Sequence, residues 1–426
     1  MSASRPSYGR GAAILSVGIG VTGVVTFGYF ALASHTLPEA QYGHITLLWS
    51  AVFITVSVLY RPVEQLLSRT IADRDARGVA GNEHLRVAAT IQLALGALFL
   101  VVVLALRGPI EDDLLGGSSA LYTILIVAVL AYAASYFARG FLAGHHRFGL
   151  YGGLVFMEAT SRFMFALAVA VGISEGQTAV ALGIAAAPIV SLTVVPWALG
   201  RRLRAQPAVA VDDEEEAATE FTLAHGSGFA VAVLLIMLSE QTFLNAGPLL
   251  VKANEGAGGA ALAGFTFNVL LIARAPLQLF QAVQTSILPH LTRLRASGET
   301  DPFRRSVNVT LMAIAAFAGA VALVMLAIGP WLMDVVFGSA FDYERGGLVL
   351  VAIGMGMYLS AATLNQALLA HGRARHACVA WVGCAVTFAL FLLLVEFDDA
   401  VLQVEIAFVG AAAALCALLW LLYRRA

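Results

Sequence analysis

The sequence predicts an all-α polytopic membrane protein with twelve transmembrane helices in two parallel-related six-helix lobes. Three observations predict this fold class: the composition, the long apolar runs, and basic residues that alternate from loop to loop. Of the 426 residues, 60% are hydrophobic and 12% are charged, whereas an ordinary soluble domain has roughly 25% charged residues. A soluble chain of this length would form about three domains, and so few charged side chains would leave their surfaces apolar. The composition therefore excludes a soluble protein.

The apolar runs determine the number of predicted spans. A helix needs about 20 largely apolar residues to cross the hydrocarbon core, and it satisfies its own backbone amides, which lipid cannot do. The runs predict twelve spans, at residues 11–34, 44–68, 88–106, 119–142, 151–172, 178–199, 223–250, 261–287, 308–330, 346–369, 376–395 and 401–423. An even number of spans returns both termini to the same side of the membrane.

The basic residues determine the predicted orientation, because cytoplasmic loops carry an excess of Lys and Arg. Nineteen of the 25 basic residues lie at one set of span ends, and three, Arg107, Lys252 and Arg345, lie at the opposite set. The remaining three lie within spans. This asymmetry predicts a multi-pass protein of the cell membrane, plasma or inner, with cytoplasmic N- and C-termini.

An acidic segment divides the chain into two predicted lobes. The N-terminal lobe is predicted at 1–206, a cytoplasmic linker at 207–221 and the C-terminal lobe at 222–426, with the acidic run 212–216 inside the linker. A charge run is usually a solvated segment, and binding of a partner is the alternative.

Weak internal similarity agrees with this division. Arg61-Pro62 in the second span is similar to Arg274-Ala275-Pro276 in the eighth. Because each lobe has an even number of spans, the two repeats are parallel, which is an arrangement typical of transporters. Chance similarity between Leu/Ala-rich helices is the alternative explanation.

Ionisable side chains within the spans are the main candidates for a functional site. Such groups are costly in lipid and normally face a bundle interior or a wet cavity. The candidates within predicted spans are Arg61, Glu64, Glu158, Arg162, Glu240 and Arg274.

Two interpretations of these six residues stay open. Structural pairing is the first, because Arg61 with Glu64, and Glu158 with Arg162, have the i,i+3 and i,i+4 spacings of pairs within one helix. Arg274 and Glu240 have no such local partner. The second interpretation is an anion-binding cavity, because a guanidinium group offers bidentate donors to phosphate or pyrophosphate oxygens. In the latter case Glu64, Glu158 and Glu240 serve ion coupling or charge pairing.

Prolines near these residues are expected to bend the helices. Pro62, Pro276 and Pro289 remove backbone hydrogen bonds, and kinks of this kind supply bend points for gating. Proline kinks are also common in inert bundles, so they add little by themselves.

The sequence contains no evident catalytic, nucleotide or metal motif. Gly18, Gly20 and Gly23 have the spacing of a dinucleotide fingerprint, but that motif works only between a strand and a helix, and close helix packing explains it better. The three cysteines lie in apolar stretches and are expected to be small core residues. We therefore expect no enzyme activity, no cofactor, no metal and no nucleic-acid partner.

Several segments resemble the polysaccharide transporters, the Wzx-type flippases of lipid-linked oligosaccharides in the MOP (MATE-like) superfamily. The resemblance covers essentially the whole chain. Its segments are Gly18 to Phe27, Leu37-Pro38-Glu39-Ala40-Gln41-Tyr42-Gly43, Arg61-Pro62, Arg139-Gly140-Phe141-Leu142-Ala143-Gly144 before Arg147-Phe148, and Ala275-Pro276-Leu277 running to Ile287-Leu288-Pro289. These motifs mark membership through turns and packing, and they do not name a substrate.

The resemblance implies two lobes around a central cavity that move a lipid-linked sugar by alternating access. It also implies that cavity arginines bind the anionic headgroup, a role that we assign by inference to Arg61, Arg162 and Arg274. The expected partners are the lipid-linked glycan, the bilayer, and glycan polymerase or glycosyltransferases of the same pathway. Alternatives are a peptidoglycan-precursor exporter, a multidrug exporter and a non-transporting scaffold. Drug-extruding relatives have acidic residues in helices 1 and 7, whereas this sequence has only Glu240, in helix 7.

Overall fold

A computed structural model of the chain describes residues 8–77, 81–193, 223–272, 300–340, 342–395 and 397–425. These residues form helices and short turns, and no β-strand occurs among them. The helices are α1 Tyr8–Thr36, α2 Glu39–Leu59, α3 Arg61–Arg77, α4 Glu83–Ala105, α5 Ser119–Gly144, α6 Phe148–Ala170, α7 Gly176–Ser191, α8 Leu223–Glu255, α9 Gly259–Ile272, α10 Thr300–Phe337, α11 Arg345–Ala370, α12 Ala374–Leu394 and α13 Ala400–Arg424.

Most of these helices are long and apolar enough to cross a membrane. Within the described residues, nine segments meet both criteria: Glu39–Asp75, Glu83–Ala105, Ser119–Gly144, Phe148–Ala170, Val231–Glu255, Asp301–Phe337, Arg345–Ala370, Ala374–Leu394 and Ala400–Arg424. The described parts of α7 and α9 are apolar but shorter. Each predicted span overlaps a described helix. The all-α polytopic fold is thus confirmed, and the count of twelve stays a prediction, as does the lobe division around the linker 207–221, which lies outside the described residues.

The second predicted span is broken into two helices at Tyr60. Its backbone N–H still donates to the Val56 carbonyl at 2.9 Å, and its carbonyl accepts from Glu64 at 2.9 Å, so the break is a local bend. Pro62 follows two residues later, has no N–H, and its ring crowds the preceding turn.

Glycines allow α5 to lie close to α3. A Cβ atom on Gly140 would lie 2.8 Å from the Glu64 carbonyl oxygen, and one on Gly144 would lie 2.9 Å from the Ser68 carbonyl oxygen. Both distances are too short for a carbon atom, so larger residues would push the helices apart. This close approach brings Glu64 on α3 near the polar face of α5.

The two halves of the chain contact each other at the N-terminus of α2. A Cβ atom on Gly43 would lie 1.8 Å from the Ala260 carbonyl oxygen of α9. Beside it, the Tyr42 hydroxyl donates to the Asn268 carboxamide oxygen, and the Asn268 amide nitrogen donates to the Tyr343 hydroxyl at 3.0 Å. We call Tyr42, Asn268 and Tyr343 the clasp. It lies at the end of the bundle that the basic residues assign to the outside.

Candidate functional site

A chamber of about 260 Å³ lies among the helices next to the Tyr60 bend, where Ser57 and Arg61 line it. Five helices of the first half and α8 of the second half form its walls. The described lining residues are Thr22, Thr26, Trp49, Phe53, Ser57, Arg61, Glu64, Tyr136, Arg139, Tyr151, Val155, Glu158, Arg162, Gln241, Leu244 and Asn245. Charged and aromatic side chains therefore share one buried space within the bundle.

Arg139 and Glu158 form a buried ion pair in the chamber wall. The Arg139 guanidinium on α5 donates to the Glu158 carboxylate on α6, and the two side chains are 12% and 2% exposed. The Ser135 hydroxyl donates to the same carboxylate. The Arg139 guanidinium also lies 4.5 Å from the centre of the Tyr136 ring. Its charge is consequently neutralised, and the pair connects two helices.

Arg162 is held by neutral groups. One guanidinium nitrogen donates to the Tyr132 hydroxyl at 2.7 Å, and the guanidinium carbon lies 5.1 Å from the centre of the Trp49 ring. Its Nε has no hydrogen-bond partner among the described residues. A hydroxyl and an aromatic face orient the guanidinium without cancelling its charge, so Arg162 contributes positive charge to the chamber.

Arg61 has the most available guanidinium of the three. Within the described part of the chain it forms no hydrogen bond and no ion pair shorter than 4.0 Å. Glu240 on α8 and Glu64 interact with it electrostatically from longer range. Its side chain is half-buried and lines the chamber, which leaves its donors free for a ligand.

Glu64 lies where the chamber meets a second pocket of about 370 Å³. The Tyr151 hydroxyl donates to the Glu64 carboxylate at 2.9 Å, and both residues line both pockets. Arg69 and His146 line the second pocket, which lies at the arginine-rich end of the bundle. The hydrogen bond between Tyr151 and Glu64 therefore lies across the route from that end to the chamber.

The structure brings together Arg61, Glu64, Glu158 and Arg162, as a cavity interpretation requires. Glu240 lies next to the wall residue Gln241. Of the two local spacings, neither forms an ion pair among the described residues: Glu158 pairs with Arg139, and Glu64 accepts a hydrogen bond from Tyr151. Cross-helix partners outcompete the local ones once the helices meet.

Arg274, Pro276 and Pro289 lie outside the described residues, so their predicted roles are untested. The sequence predicts arginines from both halves in one cavity. The guanidinium groups found in the described part of the chamber wall all come from the first half.

Arg139 is not among the sequence candidates, because it lies near the end of the predicted span 119–142 and counts there with the basic residues of the cytoplasmic side. The signal that identifies it is the spacing of Tyr132, Tyr136 and Arg139, which places three polar or aromatic side chains on one face of a helix. Residues at i, i+4 and i+7 in an apolar span indicate a face that avoids lipid.

The described lining contains three guanidinium groups and two carboxylates, so the lining residues carry an excess of positive charge, and Glu240 beside the lining interacts electrostatically with Arg61. This charge suits an anionic group that is desolvated inside the membrane. No cluster of three or more His, Cys, Asp or Glu side chains that would suit a metal ion occurs in the described parts of the chain.

Comparison with known sequences finds distant relatives. No family model matches the chain. The chain is 28% identical over 386 residues to Uncharacterized protein Rv1510 of Mycobacterium tuberculosis (strain ATCC 25618 / H37Rv), which covers 85% of this chain and 80% of that protein.

Comparison with solved structures identifies the fold. An inward-facing multidrug resistance MATE family transporter of the MOP superfamily matches with a TM-score of 0.67 at 13% identity, over 97% of both chains. A mutant of the Vibrio cholerae MATE transporter VcmN matches with a TM-score of 0.65 at 16% identity, over 99% of this chain and 98% of that one. Identities this low leave the substrate undetermined. The chain has the fold of the MATE family transporters of the MOP superfamily.

Proposed function

We propose that this protein is a flippase that moves a polyprenyl-(pyro)phosphate-linked oligosaccharide from the cytoplasmic to the outer leaflet for surface polysaccharide synthesis. The observation that carries the proposal is the excess positive charge of the chamber, with Arg61 unpaired among the described residues. The pathway's glycan polymerase or glycosyltransferases would be its functional neighbours.

Such a chamber addresses the main energetic obstacle to transfer. A phosphate or pyrophosphate group is very costly in bare hydrocarbon. Guanidinium groups replace its hydration with charge-assisted hydrogen bonds, and Arg61 and Arg162 present donors that no described carboxylate takes. The prenyl chain stays in lipid while the headgroup crosses between the helices.

The volume of the chamber indicates that the protein must open to admit the sugar. About 260 Å³ is below the roughly 300–1,000 Å³ of typical ligand pockets, and it suits the phosphate part alone. Separation of Tyr151 from Glu64 would join the chamber to the adjacent pocket of about 370 Å³. Release of the clasp would then open the opposite end.

Energy for transfer has two candidate sources. Glu240 is a candidate for a coupling proton, because it forms no hydrogen bond within the described residues and interacts electrostatically with Arg61. Glu64 and Glu158 already have hydrogen-bond donors. The membrane potential supplies about 2.3 kcal/mol per charge per 100 mV and is the other candidate.

A multidrug exporter is the second candidate function, and the aromatic wall favours it. Trp49, Phe53, Tyr136 and Tyr151 line the chamber together with Glu64, and aromatic faces with a carboxylate suit a flat organic cation. The excess of guanidinium groups opposes a cation. The flippase proposal therefore fits the charge of the chamber better.

Transfer assays in proteoliposomes separate these functions. The purified protein is reconstituted with a fluorescent polyprenyl-pyrophosphate glycan, and leaflet transfer is followed by quenching with a membrane-impermeant reductant. A parallel assay follows a fluorescent lipophilic cation. Glycan transfer without covalent change supports the proposal, whereas transport of the cation alone supports the drug exporter. Bond formation would indicate an enzyme, and inactivity in both assays a scaffold.

A further inference from the structure

A further cavity, larger than the chamber and than the pocket beside it, lies elsewhere in the described structure. It is a groove of about 990 Å³ between α12 and α13, lined almost entirely by apolar side chains. Val379 in its wall is 73% exposed, and in a membrane-spanning bundle this exposure is to lipid. The groove therefore opens sideways into the bilayer.

Small residues keep the groove open. A Cβ atom on Gly383 of α12 or Gly410 of α13 would meet no atom within 4 Å. Both glycines line the groove, so larger side chains at these positions would project into its empty space without disturbing the backbone.

The arginine-rich end of the groove carries a free positive charge. Arg375 and His376 line it there and are exposed, and Arg375 has no hydrogen bond or ion pair within the described residues. The neighbouring arginines are engaged: Arg373 donates to the carbonyls of Leu422 and Arg425. Arg424 lies 4.7 Å from the centre of the Trp420 ring. Arg375 is thus available to an acidic headgroup.

The length of the groove distinguishes between lipids. Its lining runs from Arg375 to Phe391 on α12 and from Leu422 to Ile406 on α13, which at 1.5 Å per residue is about 24 Å on each helix. Half of the hydrocarbon core is only about 15 Å. An acyl chain of a cytoplasmic-leaflet phospholipid ends near the mid-plane, whereas a polyprenyl chain continues beyond it.

We propose that the groove between α12 and α13 binds the prenyl chain of an acidic polyprenyl lipid whose phosphate contacts Arg375. The proposal rests on the proposed function, because it gives the carrier lipid a binding site outside the chamber. Arg375 selects the acidic headgroup by charge, and the length of the groove selects the long chain.

Photocrosslinking of a sugar-free carrier tests this site apart from transport. The full chain in phosphatidylcholine vesicles receives polyprenyl monophosphate with a photoreactive group in its chain, and labelled peptides are found by mass spectrometry. We expect labelling of α12 and α13 that unlabelled polyprenyl phosphate displaces. Filling the groove by Gly410→Leu should reduce it at least fivefold, and Arg375→Gln should weaken it.

Gly319→Leu is the matched control, because Gly319 is also an exposed helical glycine without neighbours within 4 Å and lies on α10. Labelling that spreads equally over α10, that Gly410→Leu leaves unchanged, or that phosphatidylglycerol displaces as well as polyprenyl phosphate would overturn the proposal. The Arg61→Ala variant should keep the groove labelling. Absence of glycan transfer by the unmodified protein, with its groove labelling intact, would count against the proposed function and not against the groove.

Discussion

The guanidinium group of Arg139 on α5 forms an ion pair with the carboxylate of Glu158 on α6, and both side chains lie in the chamber wall. The pair neutralises the only carboxylate of α6 in the chamber. Arg61 and Arg162 keep donors that no described carboxylate takes, and these donors are the electrostatic basis of the proposed flippase.

Removal of Arg61 should abolish transfer. We predict that Arg61→Ala lowers glycan export at least tenfold, because charge-assisted hydrogen bonds contribute about 1.5–3 kcal/mol each, while the protein stays in the membrane. Arg274→Ala is predicted to have the same effect. Export by cells that carry each variant, with protein quantified in the membrane fraction, checks this. Arg86→Ala is the control, because Arg86 is exposed on α4 and lies outside the chamber. Normal export by both the Arg61 and the Arg274 variants would contradict the anion site.

Breaking the ion pair should destabilise the fold. Arg139→Ala leaves the Glu158 carboxylate buried without its cation, and the loss of one partner of such a pair costs about 3–5 kcal/mol. Thermal unfolding in detergent should show a clear decrease in Tm. The double variant Arg139→Ala with Glu158→Gln should recover much of the loss, since no uncompensated charge remains. Equal Tm values for the single and double variants would show that the pair is unimportant for stability.

The Tyr151 hydroxyl should restrict access to the chamber. Tyr151→Phe removes its hydrogen bond to Glu64, and the loss of about 1.5 kcal/mol should increase access from the arginine-rich end about tenfold. A cysteine at Ser57, a lining residue, reports the access through its rate of labelling by an impermeant maleimide. Tyr122→Phe is the control, because that hydroxyl binds the Val103 carbonyl away from the chamber. An unchanged labelling rate in Tyr151→Phe would argue against this gate.

A side chain at Gly43 should force the outer ends of the two halves apart. Gly43→Val places carbon atoms where the Ala260 carbonyl lies, so the clasp cannot form. Distances between spin labels on the loops beside α2 and α9 should lengthen by several ångströms relative to the unmodified chain. Gly108→Val is the control, since a Cβ atom there meets nothing within 4 Å. Identical distance distributions in the two variants would refute a closed outer end.

The sequence predicted the helices well because hydropathy is a local property. Each apolar run overlaps a described helix, and Glu158 and Arg162 were identified as candidates because charge is rare in spans. The partners of these charges were not predictable from spacing, since Arg139 reaches Glu158 only when α5 packs beside α6. The position of α5 depends in turn on Gly140 and Gly144, whose importance appears only in contact with α3.

The transfer rates of two otherwise identical lipids test the central claim most directly. Both lipids carry the same labelled glycan and the same prenyl chain, but one has a pyrophosphate linkage and the other an uncharged linkage. In proteoliposomes the unmodified protein should transfer the charged lipid at least tenfold faster than this lipid crosses protein-free vesicles. The Arg61→Gln variant should lose this increase in transfer rate. Equal transfer of both lipids by the unmodified protein, with no change in Arg61→Gln, would contradict an anion-binding chamber.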